Sequence, residues 1–491
     1  MSELLQIAAN AVNAKMIGGS RDVKLAVSEM LSFEVDGFER SDAFKRGSWD
    51  GRSSFFDYKS GIFPAGFVHM VASGLNTLGH RTQLRVKEAP APLGPEVGTY
   101  DPMGYGFTER YDYQPETVRR LLRHKRMVAQ IATGGGKSNI ATLAVASLKL
   151  PTLFLTTRGV LMHQMKDAFE SAGQTPGVIG DGVWAPRKGV NVGMVQTLIA
   201  RLAKGHPKRE KTLALLSYFQ FVIGEEAHEA GGNSYYEVMQ ACKNAQYRLA
   251  LTATPFMRED GEANMRLQAA FGSIGIQVSE KTLIDRGILA TPYFKTLVTK
   301  PPRLLTRGTS WPTCLDIGIV ENVARNEAFV EEMVHSRQYG LPGIMLVQRG
   351  KHGQTLLDML EAKGINAAFI FGKDEQSVRK EALRDLKSGK IEVLIGSTIL
   401  DVGVDVPAVG IVANCGGGKA EVALRQRIGR GLREKKGVNI CFFADAADEG
   451  NKTLTKHALA RRAIISSTPG FAENLLPIGK DFPYHMLSKV S

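Results

Sequence analysis

Residues 127–150 read MVAQIATGGGKSNIATLAVASLKL, an apolar run followed by a glycine-rich loop and then by helix-forming residues. Glycines let the backbone approach phosphate oxygens, and the first turn of a following helix adds unpaired N–H groups and a favourable dipole. Lys137 would reach the β- and γ-phosphates of a nucleotide, and the Ser138 hydroxyl would bind Mg²⁺. An ordinary glycine turn is the alternative. The loop residues that we expect around the phosphates are Thr133, Gly134, Gly135 and Gly136.

Short apolar runs recur on both sides of this loop, with longer mixed segments between them. Continuous apolar runs that leave room for helices are typical of strands in a buried parallel sheet. The chain is therefore predicted to be α/β, with two such units in tandem. The predicted strands are residues 127–131, 152–157, 190–195, 219–223 and 247–253 in the first unit, and 343–348, 367–371, 392–396, 410–414 and 439–443 in the second.

Two Pro/Gly-rich stretches, Glu88 to Gly98 and Pro301 to Pro312, read as linkers. They divide the 491 residues into regions, and a chain of this length suggests about three domains. The predicted regions are a small α+β N-terminal domain (1–95), a first α/β domain (105–295), a second α/β domain (315–450) and a C-terminal helical extension (451–491).

Composition narrows the range of partners. Lys and Arg number 62 against 49 Asp and Glu, a net charge of +13, which favours a polyanion such as nucleic acid. The four cysteines form no C-x-x-C pair, which argues against a zinc knuckle or a disulfide framework. No apolar run reaches the ~18 residues of a membrane span, and the N-terminus lacks a basic leader segment. We expect a mature, soluble, cytoplasmic protein without a membrane partner.

An acidic pair follows the run at 219–223, in the segment GEEAHEA, residues 224–230. Carboxylates at the carboxyl end of a parallel strand lie where ligands bind in open α/β sheets. We assign Glu225 to Mg²⁺ and Glu226 to orienting the water that attacks the γ-phosphate. Two glutamates on a solvated helix face are the alternative.

The segment GEEAH resembles the DEAH motif of superfamily 2 helicases, with Glu225 in place of Asp. The extra methylene of Glu225 moves its carboxylate outward. Other segments match that superfamily in order: YQPE around Gln114 resembles the glutamine motif that reads adenine, and LTATP, residues 251–255, resembles the motif that couples the γ-phosphate site to DNA. TTRG and VQT resemble loops that grip a nucleic-acid backbone, through Arg158, Gln196 and Thr197.

The second α/β unit carries the remaining motor motifs. QRIGRGLR, residues 426–433, resembles motif VI, and two arginines three apart on a helix share one face. We assign Arg430 and Arg433 as arginine fingers on ATP bound mainly to the first unit; a basic helix face in solvent or on DNA is the alternative. The resemblance also implies a catalytic role for Gln426. Further positions that it implies are Asp405 at the nucleotide, and Thr398 and Arg349 on DNA.

The N-terminal region carries a more particular resemblance. FEVDG, KRGSWDGR and DYKSGIFPAG, within residues 33–66, are similar to the N-terminal domain of phage recombination helicases of the UvsW type. Trp49, Phe55, Phe56 and Tyr58 interleave with basic residues such as Arg52, a composition that suits base stacking and phosphate neutralisation. The alternative is that these aromatic residues form the core of a small domain.

The resemblance implies an ATP- and Mg²⁺-dependent DNA helicase with two tandem RecA-like domains. Its substrates would be branched DNA, namely Holliday junctions, stalled forks, D-loops and R-loops, with RNA–DNA hybrids among them, and its place the cytoplasm of a phage-infected bacterium. Arg258, in a segment similar to the RED element of XPB-type helicases, would contact DNA near the fork. A nucleotide-gated DNA-binding module with weak turnover, an RNA helicase and a restriction-type motor subunit are the alternatives. Protein partners are not indicated.

Overall fold

The structure is a computed structural model. It describes the chain apart from residues 1–3, 100, 102–103, 105–107, 228–231, 257–260, 303, 307, 373, 375, 397–408, 436–437 and 490–491. The chain divides into two compact units. The first comprises residues 1–132 and 136–278, and the second comprises residues 133–135 and 279–491.

The first unit begins with a small α+β region. Its main sheet has the strand order β5-β2-β1-β6, in which β1 pairs antiparallel with β2 and parallel with β6. The strands β3 and β4 form a separate antiparallel pair. The elements are β1 (Leu4–Ala9), β2 (Asn13–Ile17), α1 (Arg21–Met30), β3 (Ser32–Glu34), α2 (Asp42–Lys45), β4 (Arg52–Ser54), β5 (Ile62–Pro64), α3 (Val68–Thr77) and β6 (Arg81–Val86).

The rest of the first unit is built on one sheet with the order β10-β9-β11-β8-β12-β13-β7-β14. Its strands are parallel except for β10 at one edge. The elements are α4 (Tyr113–His124), β7 (Arg126–Ile131), α5 (Lys137–Leu148), β8 (Thr152–Thr156), α6 (Gly159–Ser171), β9 (Gly177–Gly180), β10 (Val183–Ala185), β11 (Val190–Met194), α7 (Val195–Leu202), α8 (Arg209–Tyr218), β12 (Phe221–Glu225), α9 (Asn233–Ala241), β13 (Tyr247–Thr252), α10 (Gly261–Phe271) and β14 (Ile274–Val278).

The N-terminal region packs against this sheet unit through α10. Ala269 of α10 joins the buried cluster of the N-terminal region, and the Phe55 ring lies 6.3 Å from the Tyr236 ring of α9. At Gly66 a Cβ atom would clash with the backbone oxygens of Gln268 and Ala269. A glycine is therefore required there, because the two backbones come too close for any side chain.

The second unit holds a parallel sheet with the order β15-β20-β19-β16-β18-β17. Its strands are largely buried and apolar, as expected for a parallel sheet. The elements are α11 (Glu280–Asp285), β15 (Thr291–Leu297), α12 (Trp311–Leu315), α13 (Val323–Arg337), β16 (Gly343–Leu346), α14 (Gly350–Ala362), β17 (Ala367–Ile370), α15 (Gln376–Ser388), β18 (Val393–Gly396), β19 (Ile411–Ala413), α16 (Glu421–Gly431), β20 (Ile440–Ala446) and α17 (Lys452–Ser467).

The predicted α/β class, with two parallel-sheet units behind a small α+β region, is confirmed. Two details differ from the sequence analysis. The strand predicted at 219–223 lies two residues further on, so that Glu225 is its last residue. The strand β15 precedes the linker from Pro301 to Pro312 yet pairs with β20, so the second sheet begins earlier along the chain than that linker suggested. The region boundaries stay a prediction.

Candidate functional site

The glycine-rich loop connects β7, which ends at Ile131, to α5, which begins at Lys137. Gly134 and Gly136 have φ angles of 85° and 76°, in the left-handed region that glycine adopts without strain. The strand, loop and helix predicted from the sequence are therefore present. Lys137 and Ser138 form the first turn of α5, where free N–H groups and the helix dipole favour an anion.

Gln114 lies beside this loop. It is the second residue of α4 and only 4% of its surface is exposed. A Cβ atom at Gly136 would lie 2.5 Å from Gln114 Nε2, so a side chain there would collide with the Gln114 amide. The structure thus brings the predicted adenine-reading glutamine to the phosphate loop, while its contact with adenine stays a prediction.

The acidic pair lies at the carboxyl edge of the same sheet. Glu225 is the last residue of β12, which lies between β8 and β13, and Glu226 follows it. Glu225 is 8% exposed, and its Oε2 has no hydrogen-bond partner among the residues that the structure describes. Burial raises the pKa of Glu225 to about 8; the positive charge of Lys137 opposes this rise and Glu226 adds to it. Lys137 and the two carboxylates are thus close enough to influence one another.

These residues suit a magnesium ion. Mg²⁺ prefers hard oxygen ligands and usually keeps several waters while binding one or two carboxylates and the phosphates of its substrate. The orphaned Oε2 of Glu225 and the exposed hydroxyl of Ser138 are oxygen donors of that kind. Across the described part of the chain, no group of three or more His, Cys, Asp or Glu side chains could form an all-protein metal cage. The donor set therefore fits an ion that shares its ligands with a nucleotide.

Glu226 has an unusual backbone. Its φ angle is 47°, in the left-handed region that a residue with a side chain rarely adopts. Such conformations cost of order 1–3 kcal/mol and cluster at functional sites. Its side chain is half-buried. The turn therefore holds this carboxylate at the end of β12 at an energetic cost.

Two loops at the same sheet edge carry the predicted backbone-gripping residues. Arg158 is the N-cap residue of α6, directly after β8, while Gln196 and Thr197 lie in the first turn of α7, directly after β11. Gln196 Nε2 donates a hydrogen bond to Thr157 O at 2.8 Å. This bond ties the two loops together, because β8 and β11 are neighbours in the sheet.

In the second unit, Arg349 occupies the matching position before α14. Its backbone angles, φ −126° and ψ 140°, are close to those of Arg158, φ −128° and ψ 125°. About half of the Arg349 side chain is exposed, and its Nε lies 3.4 Å from Asp316 Oδ1. Each unit thus presents an arginine at the start of the helix that follows one of its strands.

The motif VI segment needs a correction. Arg430 and Arg433 were predicted to share one helix face, but α16 ends at Gly431, and Arg433 pairs with Leu289 in an isolated β-bridge. At Gly431 a Cβ atom would crowd Cys441 and Phe443, so the helix ends against β20. Arg430 and Gln426 lie on α16, but their side chains are outside the described part. Lys137 and Arg433 belong to different units, so their convergence on one triphosphate stays a prediction.

Three further predicted residues, Arg258, Thr398 and Asp405, lie outside the described residues.

The aromatic side chains of the N-terminal region differ in burial. Phe56 is buried, and the Phe55 ring packs 5.2 Å from Phe33. These two residues support the core alternative, whereas Trp49 and Arg52 lie nearer the surface.

Trp49 Nε1 donates to Arg52 O at 2.6 Å, and Arg52 Nη2 donates to Ser32 Oγ at 2.7 Å. The Trp49 side chain is half-buried and Arg52 is exposed. Both are therefore held in place by local hydrogen bonds, and a role for them on DNA stays a prediction.

Two residues that hold or flank the motif segments were not predicted from the sequence. Arg427 of α16 is buried, and its Nη1 donates to Asn414 Oδ1 at 3.0 Å and Gly417 O at 3.3 Å. Asn139 lies by the phosphate loop, with Nδ2 3.2 Å from where a Cβ at Gly136 would be. Arg427 lies within QRIGRGLR, residues 426–433, and Asn139 directly follows Ser138, so a position within or beside a recognised motif was the available signal. No helix in the described residues is long and apolar enough to cross a membrane.

Three family models match the chain in order along its sequence. They are the DNA helicase UvsW N-terminal family over residues 9–83, the type III restriction enzyme res subunit family over residues 108–257, and the helicase conserved C-terminal domain over residues 325–435. Together they match most of the N-terminal region and a large part of each parallel-sheet unit, in the order expected from the motifs.

Similar curated proteins agree with these models. The chain is 22% identical to the ATP-dependent DNA helicase uvsW of Enterobacteria phage T4 over 444 residues, which is 86% of each chain. It is 25% identical to the DNA 3′-5′ translocase XPB2 of Sulfurisphaera tokodaii over 361 residues, 67% of this chain and 79% of that protein.

Two solved structures share the fold at low identity. The helicase MrfA bound to DNA has a TM-score of 0.56 and 14% identity, and it covers 78% of this chain and 52% of its own. Dbp5 of S. cerevisiae, bound to RNA and ADP BeF3, has a TM-score of 0.55 and 16% identity, with coverage of 81% and 97%. Both are evidence for the architecture alone.

Proposed function

We propose that this chain, a superfamily 2 DNA helicase of the UvsW type and an ATP-dependent enzyme, uses ATP hydrolysis to remodel branched DNA. The substrates in this proposal are Holliday junctions, stalled forks, D-loops and R-loops, with RNA–DNA hybrids as a further class. The match of residues 9–83 to the DNA helicase UvsW N-terminal family supports DNA as the substrate. Because the T4 relative comes from a phage, we also propose the cytoplasm of an infected bacterium as the place of action.

The observation that carries the proposal is the cluster of Lys137, Glu225 and Glu226 at one sheet edge, with Gln114 beside the loop. In the proposed mechanism Lys137 would bind the β- and γ-phosphates, and Ser138 and Glu225 would hold Mg²⁺. When bound, Mg²⁺ neutralises charge on the phosphate oxygens. Glu226 orients the attacking water and accepts its proton.

Coupling to DNA requires groups from both units. We propose that Arg430 and Arg433 contact the same triphosphate from the second unit, and that hydrolysis releases this clamp. Arginine fingers contribute roughly 10³ to 10⁵ in turnover in related phosphoryl-transfer systems. The DNA backbone would be held at the strand ends by Arg158, Gln196, Thr197 and Arg349, with Arg258, Thr398, Trp49 and Arg52 as further contacts.

The energetics of branched DNA suit such a motor. Branch migration breaks one base pair and forms another, so stacking energies of roughly 1.4 kcal/mol per step nearly cancel. ATP is then needed mainly to give the process a direction.

The test is junction migration by the Glu226→Gln variant. Loss of a general base lowers turnover by roughly 10²- to 10⁴-fold. This variant should therefore bind a labelled four-way junction normally but fail to migrate it with ATP. Glu210→Gln, at an exposed position on α8, is the matched control and should migrate junctions as the native chain does. Native-like migration by Glu226→Gln would refute the proposal.

A second candidate is a nucleotide-gated DNA-binding module with weak turnover. The glutamate at position 225, in place of the aspartate of the DEAH motif, favours it, because the extra methylene moves the carboxylate outward. ATP-dependent DNA binding without continuing phosphate release would support this candidate. Motors that act on RNA or on linear duplex are separated by comparing ATPase stimulation with RNA, linear duplex and four-way junction, and stimulation by RNA alone would exclude the DNA substrate.

A further inference from the structure

A second cleft lies within the first unit, where the N-terminal region meets the large sheet. It has a volume of about 330 Å³. Its walls come from the end of β1, the start of α3, the segment after β6, the end of α4 and the start of β7, together with Gln246 just before β13. The strands β7 and β13 run parallel to β12. The cleft therefore lies at the amino edge of the sheet, opposite the edge that carries Glu225, and is named the amino-edge cleft.

Positive charge dominates its lining. Lys87, Arg123, Lys125 and Arg126 are joined there by two imidazoles, and among the described residues that line the cleft Glu88 is the one carboxylate. The two imidazoles are those of His69 and His124. Such an arrangement attracts anions and repels cations.

Two buried donors in the cleft lack an acceptor. Gln246 is 5% exposed, and its Nε2 has no hydrogen-bond partner in the part of the chain that the structure describes. The same holds for Arg126 Nη1, whereas Arg126 Nη2 donates to Ala11 O at 2.9 Å. Leaving a buried donor unsatisfied is unfavourable, so native proteins rarely do so without a reason such as a ligand.

Burial and, to a smaller extent, neighbouring positive charges lower the pKa of two groups that line the cleft. Burial lowers the pKa of Arg126 to about 9, and the charge of Arg248 lowers it further. Burial also lowers the pKa of His69, as do the charges of His124 and Arg126. A bound anion would oppose these shifts, because it would stabilise the protonated forms.

We propose that the amino-edge cleft binds a phosphate group. A phosphate offers several acceptor oxygens to the separate donors Gln246 Nε2 and Arg126 Nη1, and guanidinium groups match phosphate geometry well. The phosphate can belong to a DNA backbone or be a free anion. The DNA source rests on the proposed function; the free anion does not. In either case this site is distinct from the nucleotide loop.

Two variants of the full chain test the proposal. Gln246→Leu removes an unsatisfied donor while keeping the size of the side chain, so the fold should be retained. Lys87→Glu reverses an exposed charge at the rim. Lys211→Glu makes the same charge reversal at an exposed position on α8 that does not line the cleft, and it serves as the control.

The first measurement is the affinity for a labelled four-way junction without nucleotide, by fluorescence anisotropy. The second is the shift in unfolding temperature on adding inorganic phosphate, against chloride of equal ionic strength. A lost hydrogen bond to a charged group corresponds to roughly tenfold in affinity. We therefore expect junction affinity to fall about tenfold in Gln246→Leu and at least as far in Lys87→Glu, with less than a twofold change in Lys211→Glu.

The outcomes separate the two sources. Weaker junction binding in both cleft variants supports a DNA phosphate. Unchanged junction binding with loss of the stabilisation by inorganic phosphate supports a free phosphate. If both variants bind the junction and respond to phosphate as the native chain does, the inference is overturned. Failure of the native chain to migrate junctions would instead overturn the proposed function, whatever the variants show.

Discussion

Glu225 of the first unit and Asp448 of the second are both buried carboxylates near the end of a strand, but their surroundings differ. Glu225 is the last residue of β12, and Asp448 lies two residues beyond the end of β20. Glu225 Oε2 has no hydrogen-bond partner among the described residues. Asp448 Oδ1 accepts from Arg325 Nε at 2.8 Å and from Thr299 Oγ1 at 3.0 Å, and Asp448 Oδ2 lies 3.7 Å from Arg461 Nη2. One carboxylate is left open, and the other is enclosed by donors.

The pKa values of the two carboxylates move in opposite directions for this reason. Burial disfavours the charged form of both. At Glu225 burial prevails and the pKa rises to about 8. At Asp448 burial is outweighed by Arg325 and Arg461, so the pKa falls below its ordinary value. Removing one partner of a paired buried charge leaves the other uncompensated and destabilises the fold, whereas an unpaired buried carboxylate is a candidate for completion by a ligand.

The comparison predicts that charges at the open site affect turnover rather than stability. We expect Lys137→Ala to lower DNA-stimulated ATP hydrolysis by roughly 10²- to 10³-fold, the usual effect of removing one donor from a charged transition state. Its unfolding temperature should stay close to that of the native chain. Lys211→Ala, at an exposed position, should leave both quantities unchanged. A rate of ATP hydrolysis in Lys137→Ala equal to that of the native chain would show that Lys137 does not bind the phosphates.

Charges at the enclosed site should behave in the opposite way. Arg461 donates to Asp445 Oδ2 and to two backbone oxygens while almost fully buried. Breaking a buried ion pair from one side is destabilising by about 3–5 kcal/mol, so we expect Arg461→Met to lower the free energy of unfolding by that amount. Urea unfolding followed by Trp311 fluorescence, with Trp49 and Trp184 replaced by Phe, reports on the second unit.

The control for this experiment is Lys456→Met, at an exposed position on the same helix. Exposed substitutions usually change stability by no more than about 0.5 kcal/mol. Equal free energies of unfolding for Arg461→Met and Lys456→Met would show that the paired charges do not stabilise the second unit.

A buried imidazole adds a pH dependence to the second unit. Burial lowers the pKa of His352 to about 3, and the charge of Arg325 contributes. In the unfolded chain the pKa returns to about 6.5, so the unfolded state binds the proton first. Stability is then lost as the pH falls below about 6.5 and continues to be lost down to about 3.

His352→Gln should remove this dependence while keeping a partner for Asn326 Oδ1, which lies 2.9 Å from His352 Nε2. Between pH 7 and pH 5 the native chain should lose about 2 kcal/mol more than the variant. Trp311 fluorescence in urea at the two pH values measures the difference. Equal losses would mean that His352 takes up its proton in the folded state.

The smallest effect is expected at the open carboxylate itself. Replacing Glu225 by Leu removes a buried polar group that lacks a partner, so without Mg²⁺ and nucleotide the first unit should gain about 1 kcal/mol of stability while losing ATP hydrolysis. Asp448→Asn in the second unit is the matched contrast and should be destabilising. Urea unfolding followed by Trp184 fluorescence measures the gain. A loss of stability in Glu225→Leu would indicate that this carboxylate supports the fold.

Much of the fold followed from local patterns in the sequence. The runs that became β7, β8 and β13 were found because buried parallel strands are continuously apolar. The edge strands β14 and β15 were missed because one side of each lacks a neighbouring strand and their sequences, IGIQV and TPYFKTL, mix polar and apolar residues. Lys137 and the acidic pair could be predicted because each lies within a short motif.

Features that depend on distant segments could not be predicted in this way. The last residue of α16, Gly431, packs closely against Cys441 and Phe443 of β20, a contact between distant segments that no local pattern reveals. The left-handed backbone of Glu226 is imposed by the turn after β12 and leaves no mark in the residue type. The amino-edge cleft is lined by both Ala9 and Gln246, which are brought together by packing of the N-terminal region on the sheet.

Steady-state phosphate release, measured with Mg²⁺, ATP and saturating four-way junction DNA, tests most directly whether the open edge of the first unit drives a motor. The account predicts many phosphates released per native chain, faster with the junction than with linear duplex, and almost none from Glu226→Gln despite undiminished DNA binding. Release limited to about one phosphate per native chain, or equal rates from the native chain and Glu226→Gln, would contradict it.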